Sequence, residues 1–364
     1  MNLIRVIPAE GEMSTSRFSA RGASRKFSIF SALAAALLVV VLSSLSLSCQ
    51  ASSAKNLTVW TYDSFISEWG PASGLAKLYE EKTGSKVDFI SKGDGGALLA
   101  SILSEGKKAQ ADVVIGLDNN SAAQALGSGL FATPKLSRLP ELAPSLLLDE
   151  KGRLIPYDYG HFAFIWDSES GVNPPSSLED LTKPEYSKKI ILMDPRTSTP
   201  GLGFLAWTQA VYGEGWQDYW KRLGPSVLAM TPGWDTGYGL FTKGEAPLVL
   251  SYSTSPAYHK AYEESERYKT LVFAEGHSAQ VELAGILASS GRRKEAEKFL
   301  DFLISVEAQA LLPETQWMYP ANSSTALPPS FSVVPSGIVT LKTGIGDPVN
   351  DPETAASLLS SALR

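Results

Sequence analysis

The chain has 364 residues, 44% hydrophobic and 10% aromatic, with a net charge of −6 and a single cysteine, Cys49. That is the make-up of a packed globular protein. Its acidic balance argues against a nucleic-acid partner, which needs a basic face, and a lone thiol excludes a disulfide framework or a Cys-ligated metal.

At the N-terminus, Arg17, Arg21, Arg25 and Lys26 precede a stretch, 27–47, that is apolar apart from scattered serines. This is the order of a secretory signal. Residues 1–48 read as a signal peptide of lipoprotein type and 49–56 as a short tether. Cys49 stands where a lipid-attachment cysteine stands; Ser48 suits that site, while Ser46 replaces the usual Leu. Two alternatives stay open: ordinary cleavage near Ser48, or a retained anchor, since about 21 residues suffice to span. On every reading the body is carried across the membrane without a thiol, so no cysteine nucleophile acts in it. Residues 1–48 hold five basic and two acidic residues, leaving −9 on the body, which also holds all eight tryptophans.

Beyond the tether, 57–62 (LTVWTY) is β-branched and aromatic, and 71–83 has helical apolar spacing and stops at Gly84. A strand at 87–90, a helix at 97–104 and a strand at 112–115 complete a βαβαβ rhythm, which implies parallel strands with helices on their faces. Further strands are expected at 162–166, 190–193, 248–252 and 281–287, and helices at 203–212, 216–223 and 294–304. Residues 321–352 are Pro- and Ser-rich and read as irregular wrapping. In such sheets ligands lie beyond the carboxyl ends of strands. There the sequence gathers small polar residues, glycines and aromatics, as in GDGG (93–96) and STSPAY (253–258).

Enzyme signatures are scarce. His161, His259 and His277 form no HExxH or other ligand spacing and read as structural. There is no P-loop, no GxGxxG after the first strand and no GxSxG elbow. Binding chemistry is better represented. TSTPG (197–201) is a helix-start signature whose N–H groups and hydroxyls could receive a hydroxyl or phosphate oxygen; plain capping needs the same residues. Tyr62, Trp69, Trp234, Tyr252, Tyr258, Trp317 and Tyr319 lie near strand ends or in Gly/Pro-flanked loops. Converging on one cleft, they would make a box for a flat cationic heterocycle, with Asp94 as counter-charge.

Several segments together resemble one family. TYDSF (61–65), EWGP (68–71), ADVVIGLDNN (111–120), PYDYGHFAF (156–164), DPRTSTPGLG (194–203), YGLFTKGE (238–245), LVLSYSTSPAYH (248–259) and WMYP (317–320) are similar, in order, to the thiamine-binding periplasmic proteins, substrate-binding subunits of ABC transporters. The likeness runs from about residue 57 to 331; residues 332–364 depart from it and are expected to form a divergent last helix. The resemblance implies an α/β, two-lobed periplasmic binding protein fold (type II), parallel-rich sheets with helices on both faces and hinge crossovers. Lobe 1 would comprise 57–157 and 278–364, lobe 2 158–277. Asp94, Gly95, Ser198, Thr199, Trp234, Tyr252, Ser253, Thr254 and Ser255 match positions that contact thiamine or its phosphates, and Tyr62, Tyr258 and Trp317 match aromatics around its rings.

The implied function is a non-enzymatic, extracytoplasmic receptor, without cofactor, that captures thiamine, its monophosphate or its diphosphate. It would act as a monomer, held to the membrane through Cys49 in the periplasm or at the cell surface, and deliver to a permease and ATPase. Arg196 is the obvious cation near a phosphate. The competing readings are a receptor for another cation, Fe³⁺ or a polyamine, and a thiaminase-like enzyme, which the lack of a thiol in the body disfavours.

Overall fold

The computed structural model describes residues 56–341 and 351–362. The signal, Cys49 and nearly all of the expected tether lie outside the described residues. In lobe 1, β1 (Leu57–Thr61), α1 (Asp63–Ile66), α2 (Ala72–Thr83), β2 (Val87–Ser91), α3 (Gly95–Glu105), β3 (Val113–Asp118), α4 (Ala122–Gly127) and β4 (Phe131–Ala132) follow in order. Helix α2 buries Leu75 and Tyr79, four apart on one face, and ends where Gly84 adopts a left-handed φ of 69° that returns its N–H to the Glu80 carbonyl. β5 (Leu154–Asp167) then leaves the lobe.

Lobe 2 contains β6 (Ile190–Met193), α5 (Thr199–Tyr212), α6 (Trp216–Leu223), β7 (Val227–Thr231), α7 (Trp234–Thr242), β8 (Leu248–Tyr252), α8 (Pro256–Tyr262) and β9 (Tyr268–Thr270). Helix α6 buries Trp216, Tyr219, Trp220 and Leu223, the i, i+3, i+4, i+7 stripe that lays one face on a core. β10 (Ala279–Leu287) returns to lobe 1, followed by α9 (Arg293–Leu303), α10 (Val306–Gln309), α11 (Leu312–Thr315) and β11 (Tyr319–Pro320); α12 (Pro352–Ala362) is last.

The strand order is β2-β1-β3-β10-β5-β8-β6-β7. β2-β1-β3 and β8-β6-β7 are parallel, as the βαβ rhythm predicts. β10 is antiparallel to both β3 and β5, and β5 to β8, so the sheet is mixed at its centre. β5 is the hinge strand: Leu154–His161 pair with β10, whereas Phe162–Trp166 pair with β8. The sequence signalled only that second half. Two separate cores flank the crossing, one built on β1, β3, β10 and α9, the other on β6, β8, α5 and α6.

Three expectations are corrected. Helix α5 begins at Thr199 rather than 203, and α3 at Gly95 rather than 97, because each has a polar residue in extended backbone just before it, Ser198 and Asp94. The last helix belongs to lobe 2, not lobe 1: Ala355 and Leu359 are buried in the lobe 2 core, with α12 against α6 and β7. The chain reaches it by a third crossing. Ala321 still donates to Tyr157 in lobe 1, Pro329–Val333 lies on α8, and Leu341 donates to His277.

Candidate functional site

A cavity of about 330 Å³ opens between the lobes, lined by residues that include Tyr62, Trp69, Asp94, Thr199, Trp234, Asp235, Tyr252, Ser255, Tyr258, Glu282, Gln316 and Trp317. That is within the range of small-molecule sites. Among the described residues, three carboxylates and no Lys, Arg or His line it.

Asp94 joins the lobes. As the residue capping α3 it accepts from the Gly95 N–H at 2.7 Å with one oxygen and from the Trp234 N–H, across the cleft, at 3.2 Å with the other. Burial raises its pKa, opposed by those N–H groups and by the Ser198 hydroxyl. That hydroxyl is buried beside the carboxylate without a hydrogen bond of good geometry. The lobes meet here because α3 opens on two glycines. A Cβ on Gly96 would lie 2.8–3.0 Å from backbone atoms of Arg196 and Thr197 in lobe 2, and one on Gly95 would strike the Thr199 hydroxyl.

The aromatic walls are paired. Trp234 stacks on Tyr238, centroids 4.9 Å apart, meets Trp69 of lobe 1 edge-on at 6.1 Å, and donates its indole N–H to the Ser251 hydroxyl at 2.8 Å. Ser251 in turn bonds Ser255. Trp317 of lobe 1 stands edge-on to Tyr258 of lobe 2 at 5.6 Å. Trp317 has φ +57°, a left-handed backbone that a bulky residue adopts at a cost of roughly 1–3 kcal/mol. Its N–H, bonded to the Leu312 carbonyl at 3.0 Å, helps hold that shape.

The floor is polar. Glu282 accepts from Tyr62 at 2.8 Å, from Gln280 at 2.7 Å and from Tyr157. Tyr62 reaches it because Gly116, at φ +106°, leaves space that a Cβ would take from the ring. Burial pushes the Glu282 carboxyl up to about 7, and burial, then the Asp94 and Asp63 charges, push Asp235 up to about 6.

Of the residues expected at the site, Tyr62, Asp94, Thr199, Trp234, Tyr252, Ser255, Tyr258 and Trp317 come together on the cavity. Gly95, Ser198, Ser253 and Thr254 do not line it: Gly95 opens α3, and the three hydroxyl residues are buried behind the wall. Thr254 lies against Met318, which does line it. Arg196 is turned away, paired with Asp194 at 2.6 Å and Glu353 of α12 at 3.3 Å. Sequence reasoning missed Asp235, Tyr238, Glu282 and Gln316. Glu282 did carry a signal, as a carboxylate inside the otherwise apolar run VELAGIL. The histidines have internal partners: His161 with Thr340, His259 with Tyr238 and Glu263, His277 with Phe162 and Phe273.

Two lobes on crossing strands, closed over a cavity at strand ends, define a solute-binding protein. Residues 108–333 match the family model described as bacterial extracellular solute-binding protein. The chain is 46% identical over 286 residues to the thiamine-binding periplasmic protein of Brucella abortus, covering 78% of this chain and 85% of that one. It is 42% identical to the one from Escherichia coli, covering 79% and 86%. A solved structure, "Periplasmic thiamin binding protein", superposes with a TM-score of 0.79 at 39% identity, covering 85% of this chain and 96% of that one. The chain belongs to the family of thiamine-binding periplasmic proteins.

Proposed function

We propose that this protein captures thiamine outside the cytoplasm and delivers it to an ABC permease and its ATPase, with no chemical turnover. The observation that carries this is the cavity: aromatic rings on both walls and, among the described residues, three carboxylates and no basic side chain. Stacked rings suit the two linked heterocycles, and the carboxylates suit a thiazolium cation. A ferric ion would not use the rings, and a linear polyamine would leave their faces unstacked.

The hydroxyethyl arm is assigned to Thr199 and the start of α5. A phosphate ester there would rely on N–H and hydroxyl donors, since Arg196 is engaged elsewhere. Opening and closing of the lobes about β5 and β10 admits and releases the vitamin. Export through residues 1–48 and a lipid on Cys49 would keep the receptor, acting as a monomer, at the membrane; mass spectrometry of the membrane-extracted N-terminus tests the anchor.

Titrating tryptophan fluorescence with thiamine, its monophosphate, its diphosphate, Fe³⁺ and spermidine tests the ligand. Saturable quenching by thiamine, with no response to Fe³⁺ or spermidine, is expected. A response to either of those and none to any thiamine compound would refute the reading.

A further inference from the structure

The floor of the cavity has a surplus of hydrogen-bond acceptors. A carboxylate offers about four lone-pair positions, and three donors reach Glu282: Tyr62, Tyr157 and Gln280. One position is left over. The single proton of the Tyr62 hydroxyl goes to Glu282, while its oxygen accepts from the Gln316 side-chain amide. The other end of that amide, Oε1 of Gln316, is buried and accepts nothing from the described residues. Tyr62, Glu282 and Gln316 all line the cavity.

The backbone aims Glu282 at this spot. The β10–β5 register shifts between Glu282 and Leu283, and the β10–β3 register shifts one residue later. Such irregularities redirect a side chain out of the strand's normal alternation and concentrate beside functional sites. Beneath Glu282, its register partner Asp158 is fully buried, with both oxygens unpartnered and its pKa well above the carboxylate range through burial. Among the described residues, no Lys, Arg or His lines the cavity to satisfy Glu282 and Gln316. A buried acceptor left unpaired is costly, so the group that completes the floor is an N–H donor brought by the ligand.

We propose that Glu282 and Gln316, steadied by Tyr62, form the subsite that receives the exocyclic amino group of the ligand's aminopyrimidine and thereby select a 4-amino heterocycle over its 4-oxo counterpart. This rests on the vitamin reading above. Rejection arises because a 4-oxo group sets a further acceptor against the two already there.

The test compares thiamine with its 4-oxo analogue, oxythiamine, by calorimetry on the full chain in detergent. Wild type is expected to favour thiamine by at least about 10-fold. Glu282→Gln offers an N–H in place of an acceptor and should shrink the preference to within about 3-fold, partly by binding oxythiamine better than wild type does. Gln316→Leu removes the second acceptor away from the hinge strands and should also narrow the preference, without lowering the melting temperature of the unliganded protein; it keeps the test decisive if Glu282→Gln does not fold. Equal wild-type affinity for the two compounds overturns the subsite while leaving the vitamin reading intact, as does an equal loss for both compounds in the variants. No binding of thiamine by wild type overturns both.

Discussion

Replacing Gly96 by alanine should separate folding from ligand capture. Gly96 is the second residue of α3, and its missing Cβ faces lobe 2. A methyl there would meet the Thr197 carbonyl carbon at 2.8 Å, the Thr197 oxygen at 2.9 Å and the Arg196 oxygen at 3.0 Å. These are backbone atoms held by the turn in which the Thr197 and Ser198 N–H groups return to the Asp194 carbonyl, so they cannot swing aside. Relief requires the lobes to part by a few tenths of an ångström. Overpacking of this kind costs about 1–3 kcal/mol, and it is felt only when the lobes are shut. The open–closed balance should therefore move by roughly 5- to 150-fold, with apparent affinity falling by the same factor. Lobe 1 alone should be unharmed, because alanine is a better helix residue than glycine by up to about 1 kcal/mol. Calorimetric titration with thiamine and thermal melts of the unliganded protein read the two effects. Unchanged affinity, or a melting temperature that falls in step with it, would show that this contact does not govern closure.

Three further outcomes are expected. Trp234→Ala should weaken thiamine binding by about 1–3 kcal/mol through lost stacking, and Trp234→Phe, which keeps a ring but not the bond to Ser251, by less; equal effects in fluorescence titrations would deny the ring its role. Asp235 and Glu282 ionise at about 6 and about 7, among other acids at the site and hinge (Asp63, Asp94, Asp118 and Asp158). A cation prefers them ionised, so affinity should rise from pH 5.5 to 7.5 and then level off, with protons released on binding near pH 6; Asp235→Asn should flatten the lower part, and a profile that falls with pH would refute the assignment. For the free protein the sign reverses: a buried acid that keeps its proton when folded loses stability as pH rises from the unfolded carboxyl range towards 7. Leu359→Ala should destabilise lobe 2 by about 2–4 kcal/mol, as for other fully buried leucines, and an unchanged melt would mean that α12 only rests on the surface.

Most of the outer parallel strands were legible because runs such as LTVWT, VVIGLD and IILM are apolar, β-branched and bounded by turn residues; the edge strand β7 was not among those expected. β5 was half hidden, since Pro156 and Gly160 read as breakers; the strand survives them by changing partners midway, from β10 to β8. Helix α7 was missed because Gly237 and Gly239 lower its local preference, and packing of Tyr238 and Phe241 overrides that. No local feature of 352–362 says which lobe it will cover; only the fold can. At the site, aromatics near strand ends were good guides. The hydroxyl run after β8 was not, because its tight turn sends Ser255 to the cavity and hides Ser253 and Thr254. Glu282 and Gln316 matter through a bulge and an unspent oxygen, which sequence spacing does not encode.

The third passage of the chain, through 321–341, also shapes how the two halves can move. Two neighbouring strands alone would form a ribbon free to twist as readily as it bends. A strap running from Ala321 on one half to Leu341 on the other, followed by a helix seated in that half's interior, adds a brace outside the ribbon. Such a brace would resist twisting more than flexing, so a single swing that restores the same alignment of the cleft faces is the motion this topology favours.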